Sequence, residues 1–554
     1  MRNLFLLLIF SLYISSSLNA QIAPDSYWVQ FTDKIGTPYS LDAPEEFLTD
    51  RAIQRRIAQG IDFEENDLPV NPEYLEGVAN TGANLLFASK WINGVSIETT
   101  DADVLDAIAA LPYVAETLKM TPIESNNDKK SFFENENYDI TVQPWDPTKK
   151  STNVFNYGSA FTQINQINGI PLHEMGYRGQ GMVIAILDGG FDMADIHPAF
   201  DSLWQNDQIL GTKDFVHPGG SVFSESYHGT AVLSTIGANV PGQMIGTAPK
   251  ASFWLLRSEY VFSENVIEEY NWVSAAEFAD SVGVDVINSS LGYIDFDMPQ
   301  WDHSYEDMDG STNVVSLGAD MAASKGILVV NSAGNSGSSS TFPYIGAPAD
   351  GFDVFSIGAV DGSGNRASFS SVGPTYDGRI KPDIMAMGQG TAVASGSSSF
   401  GTSSGTSFSS PVIAGMSTCL WQANPTYTNF EIKEAIKQSG DNVFAPNEYY
   451  GFGIPDYELA NSVLTKLSSK LSNEPQFLKL SPNPFTDAVN IKLLMDTVLQ
   501  VEVYDLSGRK IAATELNRNN INELSGLLTK LDPGFYILNV GSISDYQSIK
   551  IIKN

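Results

Sequence analysis

The chain has 554 residues, with 65 acidic against 31 basic side chains and a formal charge of −34 at neutral pH. That balance excludes nucleic-acid binding, which needs basic patches against phosphate, and the length exceeds one ordinary domain. The single cysteine, Cys419, excludes an internal disulfide and leaves core burial, with metal ions as a possible aid, to hold the fold. Taken in order, Arg2, the apolar run 4–14 and the small residues up to Ala20 predict a signal peptide over 1–20. Its apolar run is too short to span a membrane, and no later run reaches the roughly 18 apolar residues of a spanning helix. No transmembrane helix is therefore expected in the mature protein. Residues 21–150 predict a separate unit, with strands over 27–31, 84–87, 95–99 and 114–118 and helices over 44–58 and 104–111. Residues 124–150 are polar and rich in Asn, Asp, Lys and Pro, as in a linker.

Residues 160–465 alternate apolar strand runs with helix-like segments. The runs 183–187, 253–256, 284–288 and 327–331 predict buried parallel strands, hence an α/β fold with a mostly parallel sheet between helical layers. Three segments in this region carry chemistry. The run Ile184-Ala185-Ile186-Leu187 ends in Asp188-Gly189-Gly190. Tyr227-His228-Gly229-Thr230 opens a second apolar run, and Gly405-Thr406-Ser407-Phe408-Ser409-Ser410-Pro411 opens a third. Taken singly, each has a plainer reading: Asp188 starts a turn, and Ser407 caps a helix. Of the five histidines, His173, His197, His217, His228 and His303, only His228 sits in a His-Gly-Thr setting. A serine hydroxyl needs a base to act as a nucleophile, and the chain order Asp, His, Ser is one of the few known for such a triad. An esterase of the α/β-hydrolase type would need the order Ser, Asp, His. A cysteine protease would need a histidine motif paired with Cys419, whose apolar surroundings predict a core thiol instead.

With Asn288-Ser289-Ser290-Leu291-Gly292 and Ser332-Ala333-Gly334-Asn335 added, residues 160–465 resemble the subtilases, the subtilisin-like serine proteases. The resemblance implies a three-layer α/β/α catalytic domain. It implies Asp188, His228 and Ser407 as triad and Asn335, with the Ser407 N–H, as oxyanion donors. It makes Ser290, Leu291, Gly292 and Gly334 the segments that bind an extended peptide. No cofactor is required for the chemistry; structural calcium is a possibility, with no ligand residues assigned. One position departs: subtilases usually carry Thr or Ser after the catalytic aspartate, and here Gly189 stands there. By the same resemblance residues 21–150 are an inhibitory propeptide that assists folding, with a permanent accessory domain as the alternative. The acidic stretch 293–309 is expected to be a solvated loop, with a bias of the cleft toward basic side chains or a calcium site left open.

After the polar stretch 468–476, residues 474–554 alternate apolar and polar positions between turns, which predicts a small β-sandwich. Leu480-Ser481-Pro482-Asn483-Pro484-Phe485, the segment 501–509, Gly534-Phe535-Tyr536 and the basic end resemble the C-terminal sorting domain of the type IX secretion system of Bacteroidetes. That implies a zymogen exported through the periplasm to the cell surface or medium. Its expected partners are protein or peptide substrates, its own propeptide and the secretion machinery. The competing reading is a catalytically silent, surface-displayed binding protein that keeps the protease fold.

Overall fold

In a computed structural model, residues 25–121, 143–144, 155–471, 477–486, 488–494, 498–505, 509–517, 520–541 and 546–553 are described. The expected signal peptide, and most of the two polar linkers, lie outside them. The N-terminal unit places β1 (Ser26–Phe31), β2 (Asn84–Ser89), β3 (Gly94–Glu98) and β4 (Val114–Lys119) in an antiparallel sheet of order β2-β3-β1-β4. Helices α1 (Asp50–Gln59), α2 (Pro72–Ala79) and α3 (Ala102–Ala109) accompany it. Val29, Phe31, Val78, Val95, Ile97 and Ile108 form its own core. The helix expected over 44–58 is two elements, a short 3₁₀ turn at Pro44–Glu46 and then α1. Thr49 sets the true start, because its side chain accepts the Ala52 N–H and satisfies a first-turn donor. Helix α2 escaped the sequence reading, although Asn71 as cap and Pro72 as first helical residue announce it.

The central sheet contains seven parallel strands: β5 (Val183–Asp188), β6 (Ile209–Asp214), β7 (Ser252–Arg257), β8 (Val286–Ser289), β9 (Leu328–Ser332), β10 (Phe355–Val360) and β11 (Ile384–Met387). Their order is β11-β10-β9-β8-β5-β7-β6. Strands β5 and β8 to β11 are buried at every position, as a sheet covered on both faces requires. Helices α4 (His228–Gly237), α5 (Ile267–Ser281), α6 (Val314–Ser324) and α7 (Thr406–Ala423) supply the cover. Val183, Ala185 and Leu187 share a core with Trp272, Val273 and Ala276 of α5 and with Val315 and Ala319 of α6. The alternate residues Ile184 and Ile186 belong to the opposite face by the strand's period of two. Helix α7 packs on β8 to β11 and against α4. The chain order reverses around β5, so the crevice where open α/β sheets hold ligands falls at its carboxyl end.

Residues from Leu459 onward form a second compact unit. Its four-stranded antiparallel sheet is built from Leu499–Asp505, Lys510–Leu516, Gly534–Gly541 and Tyr546–Lys553. A two-stranded sheet, Leu478–Ser481 with Asn490–Leu493, shares its core through Leu478, Leu499, Val501, Leu538 and Ile551. A helix, Ile521–Leu528, adds Leu524 and Leu528 to that core and was not expected from the alternating pattern. No helix among the described residues is long and apolar enough to cross a membrane.

Candidate active site

Asp188 is the last residue of β5, so the strand itself delivers a carboxylate to the carboxyl edge of the sheet, and it is fully buried there. His228 is the first residue of α4. Its Nδ1 lies 2.9 Å from Oδ1 and 2.9 Å from Oδ2 of Asp188. A ring nitrogen facing a carboxylate carries the proton and donates it, which leaves Nε2 as the basic nitrogen. This approach depends on Gly229: a Cβ there would sit 2.4 Å from the Gly190 carbonyl oxygen and 3.0 Å from Asp188 Cβ. The Gly189 N–H donates to Asp188 Oδ1 at 2.8 Å, so a backbone amide steadies the carboxylate where no side-chain hydroxyl is present.

Ser407 is the second residue of α7 and is fully buried. Pro411, four residues on, lies inside the same helix and has no N–H to offer the Ser407 carbonyl. Ser290 takes that place: its Oγ donates to Ser407 O at 2.9 Å, and its own carbonyl accepts from Ser407 Oγ at 3.4 Å. The relay continues inward, since Asn288 Nδ2 donates to Ser290 Oγ at 3.2 Å and Ser410 Oγ donates to Asn288 Oδ1 at 2.9 Å. A helix-breaking residue and a strand end thus fix the backbone of Ser407 jointly.

Asn335 is docked on the start of the same helix. Its Oδ1 accepts from Thr406 N–H at 2.9 Å and from Thr406 Oγ1 at 3.0 Å. Those donors identify the oxygen end of the amide and turn Nδ2 the other way. Gly334 accompanies it with φ +101, and its N–H donates to Thr406 Oγ1 at 3.1 Å. The His228 and Phe408 rings lie 5.7 Å apart, which places α4 and the first turn of α7 side by side.

Of the segments expected to bind peptide, Ser290 adjoins Ser407 as described. The Leu291 side chain is buried in the core, and its carbonyl accepts from Asn331 Nδ2 at 3.0 Å. What Leu291 offers the crevice is backbone rather than side chain. Gly292 follows, partly exposed. Sequence reasoning assigned no role to Thr406, Ser410 or Asn331; Asn288 was expected at a strand's carboxyl end, where sites gather, and its bonds to Ser290 and Ser410 come from the structure.

The remaining histidines have other duties. His197 accepts from Ala199 N–H through Nδ1 and reaches the Ser399 carbonyl at 2.9 Å through Nε2; burial pushes its pKa down. His173 bridges the Tyr157 hydroxyl at 3.0 Å and the Thr247 carbonyl at 2.8 Å, and burial pushes it down to about 4. Cys419 is buried, and burial raises its thiol above the ordinary range. The stretch 293–309 is more than a solvated loop: Tyr293, Phe296 and Met308 turn into the core, while of its acids Asp295 and Glu306 are exposed and Asp297, Asp302, Asp307 and Asp309 are half-buried. Among the described residues, carboxylates converge instead at Glu259, Glu264 and Glu268.

Residues 179–453 match the model of the Subtilase family, residues 26–135 that of the Peptidase S8 propeptide domain of Bacteroidota, and residues 479–554 that of the Secretion system C-terminal sorting domain. Over 300 residues the chain is 31% identical to Subtilisin NAT of Bacillus subtilis subsp. natto, which covers 54% of this chain and 70% of that protein. It is 30% identical over 300 residues to Subtilisin of Bacillus pumilus, covering 54% of this chain and 97% of that protein. With Subtilisin DY of Bacillus licheniformis it shares 32% over 301 residues, 53% of this chain and 97% of the other.

Proposed function

The chain belongs to the subtilase family as a secreted serine peptidase with a propeptide and a sorting domain, and from that premise we propose that Asp188, His228 and Ser407 are its catalytic triad. The observation that carries this reading is the His228 Nδ1 contact with both oxygens of Asp188, made at the sheet edge beside the helix that begins with Thr406-Ser407.

Ser407 Oγ attacks the scissile carbonyl while His228 Nε2 takes its proton. Asp188 holds the ring in the Nδ1–H tautomer and stabilises the imidazolium that forms. The tetrahedral oxyanion is met by Asn335 Nδ2 and by the Ser407 N–H in the first turn of the helix, where backbone donors and the helix dipole favour negative charge. His228 then returns its proton to the leaving amine. The acyl-enzyme on Ser407 is released by a water that His228 activates in turn. The peptide lies extended against the backbone of Ser290, Leu291 and Gly292, with Gly334 on the side of the oxyanion donors. The N-terminal unit, docked on α5, inhibits until it is removed.

Replacing Ser407→Ala should lower kcat by about 10⁴–10⁶-fold with the fold unchanged. A loss of only a few fold, measured on a peptide substrate with the processed protein, would assign the nucleophile elsewhere.

A further inference from the structure

The segment joining β7 to α5 carries three glutamates with no evident part in peptide hydrolysis. Glu259, Glu264 and Glu268 are 2%, 7% and 1% exposed. One oxygen from each lies within 4.8 Å of the others. Burial comes first among the causes that push Glu259 and Glu268 well above the usual carboxylate range, and the mutual repulsion of the three carboxylates adds to it. The nearest basic residue along the chain, Arg257, is committed to Asp214 and Glu225. Among the described residues no ion pair reaches Glu259 or Glu268.

A second observation concerns acceptors rather than charge. Glu259 Oε2 accepts from the Tyr293 hydroxyl at 3.0 Å, but Glu259 Oε1 is buried with no hydrogen-bond donor. Asn265 gives its N–H to Glu268 Oε2 at 2.7 Å, and its own Oδ1 is likewise buried without a donor. Buried acceptors normally find donors. Orphaned oxygens beside three carboxylates are the complement of a hard cation.

We propose that Glu259, Glu264 and Glu268 form a divalent-cation site, of calcium size, that clasps the β7–α5 segment to the segment following Gly292. Calcium holds six to eight oxygens at about 2.3–2.6 Å in flexible geometry, so ligands across one ion stand up to roughly 5 Å apart, and three oxygens that lie within 4.8 Å of one another fit around it. Function follows from position. Ser258 N–H donates to the Asp188 carbonyl at 3.1 Å, and Asp297 N–H donates to the Glu264 carbonyl at 2.8 Å. Tyr293 joins Glu259 directly to the residue after Gly292. Ion binding therefore ties the Asp188 strand end to the proposed peptide-binding edge.

The test uses full-length Ser407→Ala protein, with the double variant Glu259→Gln/Glu268→Gln and the single variant Tyr293→Phe made in the same background. Equilibrium dialysis against calcium counts bound ions. Terbium luminescence, excited through tyrosine, reports an ion beside Tyr293. The double variant should bind one calcium fewer than its parent, whatever other ions the protein holds. The parent should sensitise terbium, and Tyr293→Phe should lose most of that signal while keeping the full calcium count. Equal calcium counts in parent and double variant would overturn the site. So would terbium emission from the parent that Tyr293→Phe leaves unchanged, a readout that stands even if the double variant fails to fold. Neither readout depends on peptidase activity.

Discussion

Pro411 and Ser290 show how single residues fix the backbone of Ser407, the proposed nucleophile. Proline withholds the N–H that would have met the Ser407 carbonyl, and the Ser290 hydroxyl supplies the hydrogen bond from 117 residues away. His173 is governed by the same local accounting. Its Nε2–H donates to the Thr247 carbonyl, so Nδ1 must accept from the Tyr157 hydroxyl, and a second ring proton would oppose that donor. Burial holds the folded pKa at about 4, against about 6.5 in the unfolded chain. Between those values the unfolded chain takes up a proton that the folded one refuses, so stability is full above about pH 6.5 and falls as the pH drops toward 4. The loss should be on the order of 3 kcal/mol. Urea melts of the Ser407→Ala protein across that range should show it, and His173→Gln, which can keep both hydrogen bonds without titrating, should flatten the slope. A slope that survives in His173→Gln would place the titrating group elsewhere. At this scale Asp188, His228, Ser407 and Asn335 could be singled out as candidates because each sits in a short motif, and the structure sets Asp188 against His228 and Asn335 against the residue before Ser407. Ser410 and Thr406 could not, since their partners Asn288 and Asn335 are distant in sequence and no local pattern marks the pairing.

Helix α1 meets α5 through a charged layer rather than an apolar one. Asp280 of α5 is fully buried and accepts from Arg55, from Arg56 at 2.9 Å and from Lys90 at 3.2 Å. Burial alone would raise its pKa, yet Lys90, Arg55 and Arg56 hold the carboxyl well below the usual range. Arg56 also pairs with Asp67, and Lys325 reaches Asp67 from the catalytic side. Such a network is costly to break from one side, because the surviving charges stay buried without a counterion. Asp280→Asn should weaken docking of the N-terminal unit by about 3–5 kcal/mol. The inhibition constant of separately added residues 21–150, measured on processed enzyme, should rise at least a hundredfold; an unchanged constant would show that the network contributes nothing to docking. Four of the seven strands of the central sheet, β5, β7, β8 and β9, could be read from their apolar runs to within two residues at either end, whereas β6, β10 and β11 were not read. The burial of Arg55 and Arg56 could not, since basic residues near a helix end look like a solvated terminus until the partner surface is known. The start of α1 slipped for a related reason: Pro44 and two glutamates imitate a helix beginning, and Thr49 resets it.

On the scale of the whole molecule, three pieces with separate cores serve one exported peptidase. Residues from Leu459 onward are a compact unit with their own packed centre, and a unit of that kind can be recognised without disturbing the catalytic core. Deleting residues 474–554 should trap the protein in the periplasm while peptidase activity persists in cell lysate. Wild-type levels of the truncated chain at the surface or in the medium would instead give this unit a structural or ligand-binding role. The antiparallel character of this region was legible in its alternation, and its helix was not, because the eight residues Ile521–Leu528 lie between two strands without a cap that binds through its side chain. The account turns on Ser407 as an activated nucleophile. The most direct measurement is labelling of the processed, secreted protein with a serine-directed fluorophosphonate, followed by mass mapping of the adduct. The adduct should fall on Ser407 alone and should vanish when His228 is replaced by alanine. An unlabelled but folded protein, or an adduct on another serine, would contradict it.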